Sequence, residues 1–120
     1  AMSYVDGFIV PVPKKKMPAY LALARKMAKV WMDHGAVGFF EALEDDAPWG
    51  KRTSFPRSVK MKKGEAVVFS WILYESRAHR DRVNKAAMQD ERLPEMMNPK
   101  SAPFDTKRMI DGGFTVRVPA

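Results

Sequence analysis

Runs of alternating and helically spaced apolar residues divide this chain into recognisable elements. Residues 4–12 read Tyr-Val-Asp-Gly-Phe-Ile-Val-Pro-Val, β-branched and aromatic in character, and predict a strand. Pro11 and Pro13 are expected to stop its hydrogen-bond ladder, with Lys14-Lys15-Lys16 marking the exit. Pro18 then suits a first helical turn, where no N–H is needed. Beyond it Tyr20, Leu23, Ala24, Met27, Val30, Trp31 and His34 recur at three- and four-residue steps, the signature of one helix face. Gly35 can supply the left-handed residue that closes such a helix.

Residues 36–43 predict a second strand, with Val37, Phe39, Glu41 and Leu43 on one side and Phe40 on the other. Residues 66–74 carry the strongest strand pattern. Val67, Phe69, Trp71 and Leu73 point one way, and Val68, Ser70, Ile72 and Tyr74 the other. Ser76 can cap a helix reaching about residue 89, with a sparse inward stripe of His79, Val83, Ala86 and Ala87. A helical turn over 93–97 follows, and a strand over 109–118 closes the chain with Ile110, Phe114, Val116 and Val118 on one face.

The order β-α-β-β-α-β is that of the ferredoxin-like split βαβ: an α+β subunit whose antiparallel sheet carries two helices on one face. One such domain is expected over residues 2–118, since 120 residues leave no room for a second core. The first and third strands lie centrally in this topology, and here both are apolar on both faces. Helices cover only one face, so the other predicts a homodimer packed sheet to sheet. The connection over 44–64 is long for a compact domain and contains Trp49 and Phe55. Part of it is expected to extend the hairpin or to pack against the partner.

Composition narrows the function classes. With no cysteine, disulfides and thiolate chemistry are excluded. No apolar run approaches a membrane span and the first residues lack a secretory pattern, so a cytoplasmic protein with no membrane partner is expected. The formal charge of +7 is unevenly spread. Lys51, Arg52, Arg57, Lys60, Lys62 and Lys63 form a basic block with no acid in it, just after the acidic cluster Glu41, Glu44, Asp45 and Asp46. Nucleic acid is not the expected partner: the aromatic sheet motif of RNA-recognition modules is missing, and a dimer would cover the face that has to stack bases.

The chain resembles the YbaA-like family, small bacterial proteins classed as a domain of unknown function. The resemblance rests on Tyr-Val-Asp-Gly-Phe (4–8), Lys-Val-Trp-Met-Asp-His-Gly-Ala (29–36), Thr-Ser-Phe-Pro-Arg-Ser-Val-Lys (53–60), Phe-Ser-Trp-Ile (69–72), Ser-Arg-Ala-His-Arg-Asp-Arg-Val-Asn (76–84) and Pro-Phe-Asp-Thr-Lys-Arg-Met-Ile (103–110). It implies a ferredoxin-like subunit in a dimeric α+β barrel and supplies no catalytic residues.

Candidate chemistry is sparse. His34 and His79 are the only histidines, without HExxH or His-x-His spacing, so no metal site is expected. His79 falls in a first helical turn beside Arg77, Arg80 and Arg82, where a neutral imidazole could act as acid or base or the cluster could hold an anion. Tyr74, Ser54 and Ser70 lack a visible base partner. The leading expectation is a homodimer binding a small anionic or aromatic molecule between helices and sheet, with His34, Trp71, His79 and Arg82 lining the site. Any reaction there would be a monooxygenation or isomerisation with no cofactor. The rival from another class is a non-catalytic interaction protein that meets nucleic acid or an acidic protein through the basic 51–63 segment.

Overall fold

Strand β1 (Tyr4–Pro13) forms the centre of the molecule, pairing along its whole length with β3 (Glu65–Tyr74). Helix α1 (Met17–Asp33) follows a short 3-10 turn, β2 (Gly38–Leu43) flanks β3, and β4 (Ile110–Thr115) flanks β1. The sheet order is β2-β3-β1-β4, antiparallel throughout, which is the ferredoxin-like order the sequence predicts. Helix α3 (Arg77–Met88) lies between β3 and β4, and single turns α2 (Phe55–Ser58) and α4 (Leu93–Met96) punctuate the long connections. The structure is a computed structural model in which residues 3–120 are described. Met2, at which the sequence starts the domain, lies outside them. No helix among the described residues is long and apolar enough to cross a membrane.

The prolines of β1 do not end its ladder as expected: Pro11 pairs with Val67 and Pro13 with Glu65. Ser3 accepts from Val116 N–H on the β4 side, whereas Lys14 N–H reaches Gly64 on the β3 side. Odd-numbered residues of β1 therefore face β4, and β4 pairs no further than Ile9. The missing N–H groups of Pro11 and Pro13 fall on an open edge, where they cost no ladder bond. The last strand is shorter than the predicted 109–118, running Ile110–Thr115 and pairing with β1 over Tyr4–Ile9.

Strand alternation sorts the side chains as expected. Tyr4, Val10 and Val12 of β1 and Val68, Ile72 and Tyr74 of β3 face the helices and are buried. Helix α1 lays Met17, Tyr20, Ala24, Val30 and Trp31 on them. Gly35, at φ 104°, closes α1 in the left-handed region, and Ser76 Oγ accepts the His79 N–H to cap α3. Two apolar clusters result, one around Trp31, Tyr74 and Val83 and one around Val12, Met17 and Val68.

The other sheet face is an aromatic platform. Phe40 stacks on Trp71 at 5.0 Å, and Phe69 meets Trp71 edge-on at 5.5 Å. Phe40, Phe69, Ile110 and Phe114 are exposed. The 44–64 connection folds over one end of this face: Ser54 caps α2, Pro56 and Val59 are buried, and Phe55 packs edge-on against Phe69.

Candidate functional site

Between the two apolar clusters the inner sheet face changes character. The register puts Phe8, Ser70 and Glu41 in one row across β1, β3 and β2, with Asp111 of β4 beside Phe8. Ser70 stands between Val68 and Ile72 on β3, and Glu41 between Phe39 and Leu43 on β2. Helix α3 buries only Val83 and Ala87 and does not fill the space above them. A cavity of about 690 Å³ opens there, walled mainly by apolar side chains such as Phe8, Leu23, Met27, Phe39, Met88 and Phe104. That volume lies within the usual range for small-molecule sites.

Its polar groups sit in two stations. At the first, Tyr20 Oη donates to Glu41 Oε1 at 2.6 Å, joining α1 to β2. Burial holds the Glu41 carboxyl above its ordinary range, and the Tyr20 hydrogen bond offsets this only in part. The Tyr20 hydroxyl is itself pushed upward by burial and by the neighbouring carboxylate. At the second station, Arg80 Nη1 donates to Asp6 Oδ1 at 2.6 Å, and the guanidinium lies 4.9 Å from the centre of the Tyr4 ring. Burial raises Asp6 despite Arg80, and the charge of Asp111 raises it further. Asn84 belongs to this end too: its Oδ1 accepts from Trp31 Nε1 at 3.0 Å and from Tyr74 Oη at 3.3 Å. The arrangement can enclose an apolar body and offer it a poised carboxyl at either end.

The four residues expected to line the site do not come together, and none of them walls this cavity. Trp71 has the opposite strand parity and belongs to the aromatic platform. His34 caps α1 and binds Asp90 at 2.8 Å, in a cluster where Arg92 also grips Asp90 and Asp33. The Arg92 hydrogen bonds, with a smaller part from His34, hold Asp90 far below the usual carboxylate range. His79 Nδ1 accepts the Glu75 N–H at 3.0 Å, and its ring stands edge-on to Tyr74. Arg82 is exposed and makes no ion pair among the described residues. Among those residues no three His, Asp or Glu side chains gather as a metal site.

Of the basic block, Arg57 lies 4.4 Å from the Trp49 ring and donates to the Trp49 and Gly50 carbonyls, while Lys51, Arg52, Lys60, Lys62 and Lys63 are exposed. The residues that sequence reasoning did not assign to the site are Asp6, Tyr20, Glu41 and Asn84, while Arg80 entered only as a member of the anion-holding cluster around His79. A signal for two of them was present, since Asp6 and Glu41 are carboxylates at inward positions of otherwise apolar strands.

A four-stranded antiparallel sheet with the two long helices, α1 and α3, on one face defines a ferredoxin-like α+β protein. The chain belongs to the family described as "Protein of unknown function (DUF1428)", which matches residues 3–106. It is 47% identical over 113 residues to "Uncharacterized protein YbaA" of Escherichia coli (strain K12), covering 94% of this chain and 95% of that protein. The YbaA of Shigella flexneri matches to the same extent. The resemblance read from the sequence is thus borne out. Among solved structures, a dimeric ferredoxin-like protein from an uncultured marine organism superposes with a TM-score of 0.60 at 12% identity, over 100% of both chains. That likeness bears out the fold.

Proposed function

We propose that this protein is a homodimer that binds a small, uncharged, largely aromatic molecule in the helix–sheet cavity, where Glu41 accepts a proton from it without a cofactor. The observation that carries the reading is the Glu41 carboxyl, raised by burial and held by Tyr20 at 2.6 Å against an apolar cavity wall. A carboxylate so placed is a stronger base than one in water. Asp6, Glu41 and Asp111 outnumber Arg80 at the cavity wall, which favours an uncharged aromatic ligand over an anion. Isomerisation and cofactor-free oxygenation both begin by removing a proton from an activated C–H or O–H, and that shared step is the one assigned to Glu41. The homodimer is supported by the exposed aromatic platform and by the dimeric description of the structure with the same fold.

The test has two parts. The neutral dye N-phenylnaphthylamine should bind more tightly than the anionic anilinonaphthalene sulfonate, and Met27→Trp, which narrows the cavity, should weaken the binding. Deuterium exchange into phenylacetone, followed by proton NMR, should be faster than in buffer and should rise with pH above the ordinary glutamate value of 4.5. Glu41→Gln preserves an acceptor for Tyr20 and should return the exchange to the buffer rate. Unchanged exchange in that variant would remove Glu41 from the role.

A further inference from the structure

The amide of Asn84 has a fixed orientation. Trp31 Nε1 is a donor only, so the Asn84 atom that meets it at 3.0 Å must be the oxygen. Tyr74 Oη approaches the same oxygen at 3.3 Å. Nδ2 therefore faces elsewhere, and it makes no hydrogen bond among the described residues. Asn84 lies in the cavity wall, so this amide is a donor held in place at an apolar site with its acceptor still to come. The nearby guanidinium is engaged, since Arg80 bonds Asp6, Asp81 and, at 3.4 Å, Tyr4. At the other station, Glu41 Oε1 receives Tyr20, while Oε2 makes no hydrogen bond among the described residues.

The two open groups are complementary, one donating and one accepting. Each is anchored by a residue of α1, Trp31 and Tyr20, roughly three turns or about 16 Å apart along the helix axis. An apolar wall separates them. Building on the small-molecule reading above, we infer that Asn84 is a specificity-determining residue. It selects an elongated aromatic molecule with a carbonyl-type acceptor at the α3 end and a hydroxyl at the Glu41 end. A ligand lacking the acceptor would leave the amide unpaired on binding, which is how a polar group in an apolar site discriminates.

Two probes differ only at the inferred contact: a hydroxybiphenyl bearing an acetyl group at its far end, and the same hydroxybiphenyl bearing ethyl. Calorimetric titration of the intact protein should show the acetyl compound binding roughly five- to tenfold more tightly, the worth of one hydrogen bond. Asn84→Asp retains the acceptor for Trp31 and Tyr74 but replaces the donor with a second acceptor, so the preference should vanish or reverse. Tyr20→Phe should weaken both probes alike and keep their ratio. Should N84D unfold, the paired replacement Trp31→Phe with Asn84→Leu removes the donor and its anchor together and should likewise abolish the preference. Equal binding of both probes to the unaltered protein, or a ratio unchanged in N84D, overturns the role of Asn84 and leaves cavity binding standing. Binding of neither probe overturns both.

Discussion

Replacing Arg80 with methionine isolates the electrostatics of the second station. Arg80 and Asp6 are joined at 2.6 Å with side chains 19% and 10% exposed. Methionine keeps the length of the stem and removes the charge, so Asp6 loses its counter-ion and is left with the like charge of Asp111. Breaking a fully buried pair in this way costs about 3–5 kcal/mol. The partial exposure of Arg80 reduces this to about 2–3 kcal/mol at neutral pH. For a chain of this size that is a fall of roughly 8–12 °C in Tm. The pH dependence follows from the direction of the shift. Asp6 already titrates above its ordinary value of 3.8, and losing Arg80 raises it further. A carboxyl with a raised folded pKa contributes stability below its unfolded pKa and loses it as pH rises through the folded value. The deficit of R80M should therefore be full at pH 7 and shrink toward pH 4. Asp6→Asn combined with R80M should recover most of the loss, since no charge is then stranded. Thermal and urea unfolding at fixed protein concentration, across that pH range, measure all four corners of the cycle. A deficit below about 1 kcal/mol at pH 7, or no recovery in the double variant, would refute the buried-pair reasoning.

Two further outcomes follow from the sheet. An alanine Cβ at Gly113 would run into the Tyr4 ring, with Cζ at 2.8 Å, so Gly113→Ala should cost on the order of 2 kcal/mol by overpacking, read by urea unfolding. An undiminished midpoint would mean that Tyr4 moves aside freely. Trp71→Glu puts a charge into the middle of the aromatic platform and should weaken self-association more than about a hundredfold. Sedimentation velocity should then find a monomer, and a dimer of unchanged affinity would place the interface elsewhere.

The legible part of this sequence was its periodicity. Alternation in residues 66–74 separated Val68, Ser70, Ile72 and Tyr74 from Phe69 and Trp71, and the structure keeps that division. The helix closing at Gly35 and the cap at Ser76 were equally plain, because local backbone geometry demands those residue types. Proline was misleading. Read alone, Pro11 and Pro13 end a strand, but whether a missing N–H costs a bond depends on which neighbour stands beside it, and β4 stops short.

The site was less legible for a related reason. Reactive residue types drew attention to His34 and His79, yet each is tied up by a partner, Asp90 for one and the Glu75 N–H for the other. Tyr20 looked like one more apolar contact on a helix face, and Asn84 like a polar position beyond the stripe. The elements, their order and the two-sided apolar strands were readable along the chain because they follow from short-range steric preference and burial parity, and the family was readable from the resemblance of its motifs. The meetings of Glu41 with Tyr20 and of Arg80 with Asp6, and the turning of the Asn84 oxygen to Trp31, depend on the folded arrangement of the elements. Those contacts bring together residues distant in the chain, and the space between them exists because Ser70 is small and α3 buries only Val83 and Ala87 against the sheet.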